Sequence, residues 1–330
     1  MIRTTARLGL LGAALMLGSL AVAPAYAATE PVHVPTPKQL GTLGGKNSVA
    51  IDINDRGQVV GQSGVDPNGT DLDHVFLWQR GVMKDLGTGF TPKDLNNKGH
   101  IAVTFIGNNG VRRAGLRRDG KIVDLGTPDY GYAYALNDND EVVGSYDNGK
   151  GQLHAFVWRN GVITDLPGEN GAAHGINNKG VVVGLILAED ATHTYTYRGV
   201  VWRNGKLTEL GAGFEDAVAV NDDGVIIGNG GRPINHGVVW KNGTVTRLRP
   251  LATTGTFGDY TEAKAINNRG EIIGETANTG GEESAIWRHG KPRGGLDGHV
   301  SGINNRGQLA GFTYESPDQH EFIYTAAIWG

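Results

Sequence analysis

One segment of the sequence, residues 217–228, reads AVAVNDDGVIIG. Two apolar runs rich in β-branched residues flank the polar tetrapeptide Asn221–Gly224, a pattern typical of two short strands joined by a turn. The tetrapeptide suits a type I turn closed by a glycine with positive φ, a conformation that glycine adopts at little cost. The segment therefore predicts a tight β-hairpin.

This Asn-x-x-Gly element recurs along the chain at intervals of about 40 residues, each time after an aliphatic residue and before an apolar run. Its first asparagines are Asn54, Asn96, Asn137, Asn177, Asn221, Asn267 and Asn304. Only the third copy lacks the glycine, which Asp140 replaces. The sequence is thus built from seven copies of one unit.

Each copy also contains a second hairpin. Residues 154–166 read HAFVWRNGVITDL, in which Asn160-Gly161 separates two apolar runs. Asn-Gly between such runs is a strong hairpin signal because both central positions of a type I′ turn need positive φ. Asn204-Gly205 and Asn242-Gly243 repeat the pattern. Each unit is therefore predicted to form four strands.

Four strands in about 40 residues is the period of a β-propeller blade. We expect an all-β fold: a single seven-bladed β-propeller domain of four-stranded blades over residues 38–330. The last copy stops at Gly330, in its third strand, and residues 39–43 (QLGTL) resemble the end of a fourth strand. We therefore expect an N-terminal strand to complete the last blade and close the ring, which removes exposed sheet edges.

The tryptophans support this alignment, because all of them fall at one position of the repeat. They are predicted to pack in the structural core between neighbouring sheets, where each ring buries a large area. The six are Trp78, Trp158, Trp202, Trp240, Trp287 and Trp329.

The N-terminus has the pattern of an export signal. Arg3 and Arg7 precede an apolar run over residues 8–23, and the Ala25-Tyr26-Ala27 triplet has the small residues that signal peptidase reads. A spanning helix needs about 20 apolar residues, so the run is short for a membrane anchor. We expect residues 1–27 to be a signal peptide cleaved near Ala27, residues 28–37 to be a short linker, and the protein to be secreted.

Composition narrows the classes of partner. The chain carries 30 basic and 34 acidic residues, a net charge of −4, so it has no broad basic surface for nucleic acid. We also expect no membrane insertion after the signal peptide is cleaved. The absence of cysteine excludes disulfides, thiolate metal sites and cysteine nucleophiles. We predict no cofactor and no metal site, although the composition of Asn137–Glu141 leaves a calcium requirement open.

The repeats resemble those of the bacterial extracellular HAF-repeat family, named for a His-Ala-Phe triplet. The resemblance rests on residues 154–161 (HAFVWRNG) and 175–184 (GINNKGVVVG) and covers roughly Lys38 to Gly330. It implies an exported β-propeller and carries over no catalytic residue. The second copy departs furthest, with Gly115 and Arg117 at the Phe and Trp positions, and is predicted to form an irregular blade.

Candidate binding residues lie in the loops of one face. The hairpins between strands 1 and 2 and between strands 3 and 4 open on a stereotyped face, whereas the other connections open on a variable face. Rings beside hydroxyl and carboxylate groups on the variable face suit glycans, since a ring packs on sugar C–H groups. The candidates are Tyr130, Tyr132, Thr192, His193, Tyr195, Tyr197, Phe257, Asp259 and Tyr260.

We expect a non-enzymatic recognition module that is lectin-like and binds cell-surface or cell-wall glycans. It could instead dock another secreted protein, as the targeting or adaptor subunit of a larger assembly. The alternative is a lyase or hydrolase that acts on a polysaccharide or peptide at the channel mouth. For that chemistry the candidate cluster is Asp94, His174, Glu262 and His299, although no catalytic motif is present.

Overall fold

The computed structural model describes residues 35–189, 193–231, 235–252, 258–277, 281–317 and 321–330. The predicted signal peptide and residues 28–34 of the predicted linker lie outside these ranges. Residues Val34–Gly330 form one compact unit. None of the described segments is a helix long and apolar enough to cross a membrane.

The unit is a seven-bladed β-propeller of four-stranded antiparallel blades, which confirms the predicted fold class. From the innermost strand outward, the strands are: in blade 1, β2 (Ser48–Ile53), β3 (Val59–Ser63), β4 (His74–Gln79) and β5 (Val82–Gly87); in blade 2, β6 (Phe90–Leu95), β7 (Ile101–Ile106), β8 (Arg112–Arg118) and β9 (Lys121–Asp124); in blade 3, β10 (Gly131–Leu136), β11 (Val142–Asp147), β12 (Leu153–Arg159) and β13 (Val162–Asp165); in blade 4, β14 (Ala172–Ile176), β15 (Val182–Glu189), β16 (Tyr195–Arg203) and β17 (Lys206–Glu209); in blade 5, β18 (Asp216–Val220), β19 (Ile226–Gly230), β20 (His236–Lys241) and β21 (Thr244–Arg247); in blade 6, β22 (Thr261–Ile266), β23 (Ile272–Ala277), β24 (Glu282–Arg288) and β25 (Lys291–Arg293); in blade 7, β26 (His299–Ile303), β27 (Leu309–Glu315), β28 (Ile323–Trp329) and β1 (Lys38–Gln39).

Blade 7 is completed by the N-terminal strand, as predicted. Lys38 pairs with Ile328 and Gln39 pairs with Ala327 in an antiparallel register. The Leu40 amide then donates a 2.7 Å hydrogen bond to the Ala326 carbonyl. The two ends of the described chain thus meet in one sheet and close the ring.

The hydrophobic core is divided into seven clusters, one between each pair of neighbouring blades. Between blades 3 and 4, for example, Val143 and Val157 pack with Ala173 and Trp202. A single blade therefore has no core of its own, because each sheet buries both faces against its neighbours.

Five of the six tryptophans are buried in these clusters, while Trp240 is half-buried. Trp202 is 1% exposed, and its indole N–H donates a 2.7 Å hydrogen bond to the Pro167 carbonyl. Trp240 instead packs under the guanidinium of Arg203, 5.3 Å from its ring centroid. Trp240 therefore departs partly from the predicted core position.

Blade 2 is regular, so the prediction that it would be irregular is wrong. Arg117 pairs with Ile101, in the register that Trp287 makes with Ile272 in blade 6. A Cβ at Gly115 would press against Val103, Phe105 and Ile122, and these side chains fill the space that a phenylalanine occupies elsewhere. Neighbouring side chains thus compensate for the missing aromatic residue, and the register persists.

Every innermost strand contains a β-bulge three residues before the asparagine of its turn. In blade 4 the pairing shifts between Ala173 and Gly175, which leaves His174 without a partner across the strand. Bulges turn the extra residue away from the ladder. The bulged residues, one from each blade, are Ile51, Lys93, Tyr134, His174, Val218, Lys264 and Ser301.

A glycine on the second strand accommodates this bulge in six blades. A Cβ at Gly184 would collide with the carbonyl oxygen of Ala172, and the five equivalent glycines show the same close approach to the innermost strand. Blade 2 has Val103 at this position. The glycine therefore accompanies the bulge in six blades, while blade 2 forms the same bulge with Val103.

The first residue of the repeat triplet pairs with an acid eleven residues later in blades 1, 2 and 4. His74 Nδ1 lies 2.9 Å from Asp85, and Arg113 in the next copy lies 2.6 Å from Asp124. The Arg198–Glu209 pair has the same spacing of eleven residues at 3.0 Å. In blades 1, 2 and 4 a histidine or arginine at this position thus pairs across the strands, whereas blades 6 and 7 have Glu283 and Thr325 there.

Candidate functional site

The seven turn asparagines form a closed ring of hydrogen bonds on the stereotyped face. Asn221 is 4% exposed, and its Oδ1 accepts bonds from the Asp223 and Val225 amides, which shape the turn. Its Nδ2 donates to the Asn267 carbonyl in the next blade. Equivalent bonds of 2.9–3.2 Å run from Asn54 to Asn96, Asn96 to Asn137, Asn137 to Asn177, Asn177 to Asn221, Asn267 to Asn304 and Asn304 back to Asn54.

A second ring surrounds this asparagine ring and is made by the residue after each turn asparagine. We call it the Asx ring: Asp55, Asn97, Asp138, Asn178, Asp222, Asn268 and Asn305. The backbone amide of each member donates to the side-chain Oδ1 of the next, at 2.7–2.9 Å. The second ring therefore also crosses all seven blade interfaces.

The Asx ring alternates acid and amide around most of its circumference. Asp222 Oδ2 accepts hydrogen bonds from the Asn178 and Asn268 amides, at 3.2 and 2.8 Å, and the other two carboxylates are flanked in the same way. Seven positions cannot alternate perfectly, and the like neighbours are the amides Asn268 and Asn305. No two carboxylates of this ring are adjacent, so like-charge contact is avoided.

The channel above these rings holds a polar cavity of about 330 Å³. Both rings line its end at the stereotyped face, and the seven bulged residues line its wall. The bulged residues differ in chemistry from blade to blade, with two lysines, a tyrosine, a histidine and a serine among them. The bulges thus present one variable side chain per blade to the cavity.

Two carboxyl groups sit side by side in this cavity wall, in blades 1 and 2. Asp52 Oδ2 accepts the Leu95 amide at 2.9 Å, and Asp94 Oδ2 accepts the Leu136 amide at 2.7 Å. Burial, together with the neighbouring Asp94 carboxyl, raises the pKa of Asp52 well above its usual value. Burial also raises the pKa of Asp94, while the hydrogen bond from Asp52 opposes that rise. The pair therefore retains a proton at a pH where an isolated aspartate would be ionised.

The four residues predicted for the channel-mouth cluster are not brought together. His174 Nδ1 lies 2.7 Å from Asp216, and its ring meets the Tyr134 ring edge-on. Asp94 belongs to the carboxyl pair described above. These two residues line the cavity, whereas Glu262 and His299 are not part of its lining.

Glu262 and His299 have partners outside the cavity. Glu262 accepts a 3.2 Å hydrogen bond from the Tyr260 hydroxyl, and burial together with Glu262 raises the pKa of Tyr260. His299 Nδ1 lies 3.4 Å from Glu275. The bulge is the physical reason for this separation, because it turns His174 into the channel while Glu262 and His299 precede the bulges of their strands. Among the described residues, no group of three or more His, Asp or Glu side chains is arranged to hold a metal ion.

The predicted binding residues on the variable face occupy separate blades. Tyr195 and Tyr197 are 62% and 48% exposed on the long β15–β16 hairpin, where His193 lies 2.5 Å from Glu189. Tyr130 is 54% exposed in blade 3, and Tyr132 stacks on Tyr134 at 6.3 Å. Asp259 lies 3.9 Å from His236, and Tyr260 is half-buried. Thr192 and Phe257 lie outside the described residues.

Sequence reasoning missed an aromatic row in blade 7. The blade-7 row consists of His299, Phe312, Tyr314, Phe322 and Tyr324, with neighbouring ring centroids 5.1–6.4 Å apart. Tyr314 and Phe322 are each about half exposed. The row has a signal in the sequence, since Phe-x-Tyr occurs on β27 and again at Phe322–Tyr324, where β28 begins, and residues two apart in extended chain share one face.

Among the described residues, the exposed tyrosine and phenylalanine side chains all lie on one face of the propeller. Ten large hydrophobic side chains are exposed in the described part of the chain. Two of them, Val82 and Val162, follow strand 3–4 hairpins on the stereotyped face. The other eight lie at the variable face and include all five exposed aromatic residues, Tyr130, Tyr195, Tyr197, Tyr314 and Phe322.

Neither a protein-family model nor a curated protein matches the sequence. Among solved structures, the β-propeller domain of the Trilobed protease from Pyrococcus furiosus is similar, with a TM-score of 0.59 and 12% identity over 85% of this chain and 93% of that chain. The Pyrococcus horikoshii acylaminoacyl peptidase gives a TM-score of 0.54 and 13% identity over 81% of this chain and 49% of that one, so the chain spans about half of that enzyme. At these identities the likeness shows the β-propeller fold alone.

Proposed function

We propose that this chain is an exported recognition module that binds hydroxyl-rich glycans through its variable face. The observation that carries the proposal is the restriction of all five described exposed aromatic side chains to that face. Exposure of an apolar ring to water is unfavourable. Clusters of exposed apolar side chains therefore often mark interaction surfaces. Export rests on the predicted signal peptide, residues 1–27.

The polar neighbours of these rings favour sugars as the ligand. The Tyr195 hydroxyl donates a 3.4 Å hydrogen bond to Glu189, and Arg112 reaches the Tyr132 hydroxyl at 3.4 Å. A ring face packs on sugar C–H groups while carboxylate, amide and hydroxyl groups bond the sugar hydroxyls. The asparagine ring and the Asx ring on the stereotyped face offer no such combination, since their amide and carboxylate groups bond one another.

A glycan array probed with the processed protein recovered from the culture medium tests this function. Sequencing its N-terminus would check cleavage near Ala27. Glycan binding without turnover is the expected result. A silent array together with a stoichiometric protein partner from the same medium would replace the glycan with a protein ligand and make the chain an adaptor subunit.

A second candidate function is hydrolysis or elimination on a polysaccharide or peptide in the channel. The His174–Asp216 pair favours it, because a carboxylate on Nδ1 fixes the imidazole so that Nε2 is available as a base. His174 lies in the cavity wall beside Tyr134. Release of new reducing ends from an array glycan, abolished by His174→Ala, would establish this function, and binding without any product would exclude it for that glycan.

A further inference from the structure

The blade-7 row is a continuous surface on one face of a sheet. His299 lies directly opposite Phe312 across β26 and β27, and Tyr314 lies opposite Tyr324 across β27 and β28. Phe322 precedes Tyr324 by two residues and so shares its side of β28. The rings therefore run from the innermost strand of the blade to its third strand, outward from the channel.

Contacts within the row hold its exposed rings in place. Phe322 stacks near Tyr324 at 6.4 Å and meets Tyr314 edge-on at 6.1 Å. Phe312 and Tyr324 are themselves half-buried and lie edge-on at 5.6 Å. A ligand that stacks on Tyr314 and Phe322 would find rings already ordered, which lowers the entropic cost of binding.

Two groups of charges at the border of the row are paired, while exposed Glu315 follows Tyr314 on β27. Lys46 and Glu321 form a 2.6 Å ion pair beside β28. At the inner end, Glu275 bonds both Lys264 and His299. A charged ligand would have to compete with these internal pairs, whereas an uncharged ligand would not.

We propose that the blade-7 row binds an extended, uncharged glycan chain laid across blade 7 with one end at the channel mouth. This inference rests on the proposed glycan-binding function and specifies its site and ligand class. An extended chain presents successive sugar faces along a line, as the rings do. Both exposed members of the row, Tyr314 and Phe322, are aromatic and offer ring faces on which sugar C–H groups can pack.

Calorimetric titration with three hexasaccharides tests the ligand class. Cellohexaose is the extended neutral probe, maltohexaose is a coiled neutral probe, and hexagalacturonic acid is a charged probe. Cellohexaose should bind, and its affinity should stay constant from low to high salt. In a series of shorter cello-oligosaccharides, affinity should increase from the disaccharide to the hexasaccharide. Binding of only the coiled or only the charged probe would overturn the assignment.

Variants of the exposed rings test the site. Tyr314→Ala and Phe322→Ala should each weaken cellohexaose binding about tenfold, and Phe322→Leu should do the same because it keeps apolar bulk but loses the ring face. Ile106→Ala, an exposed aliphatic change on the same face in blade 2, is the matched control and should bind normally. Unfolding midpoints of all variants should match the parent protein.

The outcomes separate this inference from the proposed function. Normal binding by Tyr314→Ala and Phe322→Ala would overturn the blade-7 assignment and leave glycan recognition intact elsewhere on the variable face. If Phe322→Leu alone binds normally, apolar contact is sufficient at this position. That result would overturn the proposed stacking of a sugar on the Phe322 ring. Absence of binding to cellohexaose and to every array glycan would overturn both proposals.

Discussion

The two faces of this propeller use polar and aromatic residues in opposite ways. On the stereotyped face, the amides and carboxylates of the asparagine ring and the Asx ring bond each other around the full circle. On the variable face, tyrosine and phenylalanine rings stay exposed. In each repeat the constant turn therefore holds neighbouring blades together, whereas the variable loops carry the exposed tyrosine and phenylalanine side chains.

The largest effect is expected for a tryptophan near the stereotyped end of a third strand. Trp202→Ala removes a ring that is 1% exposed and its bond to Pro167, and should lower the free energy of unfolding by about 3 to 5 kcal/mol. Denaturant unfolding measures it. Trp240→Ala is the control, and an equal loss there would show that exposure does not distinguish the two sites.

The next effect concerns the asparagine ring. Asn221→Ala should cost about 2 to 3 kcal/mol because it leaves two part-buried turn amides without an acceptor and leaves the Asn267 carbonyl with the Gly270 amide as its remaining donor. Asn221→Asp keeps the two accepted bonds and loses only the donation to blade 6. If Asn221→Asp unfolds like the parent protein, the asparagine serves the turn alone and the ring adds no stability; exposed Asn108→Ala is the control.

A pH-dependent effect is expected from the carboxyl pair in the cavity. A raised pKa means that the folded protein holds the Asp52 proton more tightly, so ionisation costs stability as the pH rises above the ordinary value of 3.8. Asp52→Asn, which stays neutral and can donate to Asp94, should raise the melting temperature at pH 7 and have little effect below pH 3.8.

Exposed Asp73→Asn should leave the melting temperature unchanged at both pH values. A destabilised Asp52→Asn protein at pH 7 would contradict the shared proton and indicate that both carboxylates are ionised in the folded state.

The smallest effect on stability is expected on the variable face. Tyr195→Ala with Tyr197→Ala removes two exposed rings and should change the free energy of unfolding by less than about 0.5 kcal/mol. Binding to an array glycan should weaken several-fold if this hairpin adds to the binding surface. A loss of stability like that of Trp202→Ala would make the hairpin structural.

The blades and the ring closure could be predicted because the same pattern of strands and turns occurs seven times in the sequence. The turn asparagines and the match of residues 39–43 to a fourth strand led to the confirmed ring. Blade 2 was mispredicted since Gly115 and Arg117 were judged alone, whereas Phe105 and Val103 supply the missing volume from a neighbouring strand.

The site was harder to predict because its contacts join residues far apart in sequence. The turn alone accounts for an asparagine at position 221. Nothing in the local sequence therefore indicates that its side chain also bonds Asn267 in the next blade. The restriction of the following position to Asp or Asn in all seven copies is a signal that could have indicated the Asx ring. The second-strand glycines, such as Gly184, similarly mark the bulges that place His174 in the cavity.

The circular closure of the asparagine ring bears on how the protein comes apart. In a linear repeat array, the end repeats have one neighbour each and fray first. Here Asn304 donates to Asn54, so every blade has two neighbours and detaching any of them breaks two interfaces at once. A chain assembled from seven similar modules should therefore lose its structure in one concerted transition, with no terminal module that opens ahead of the rest.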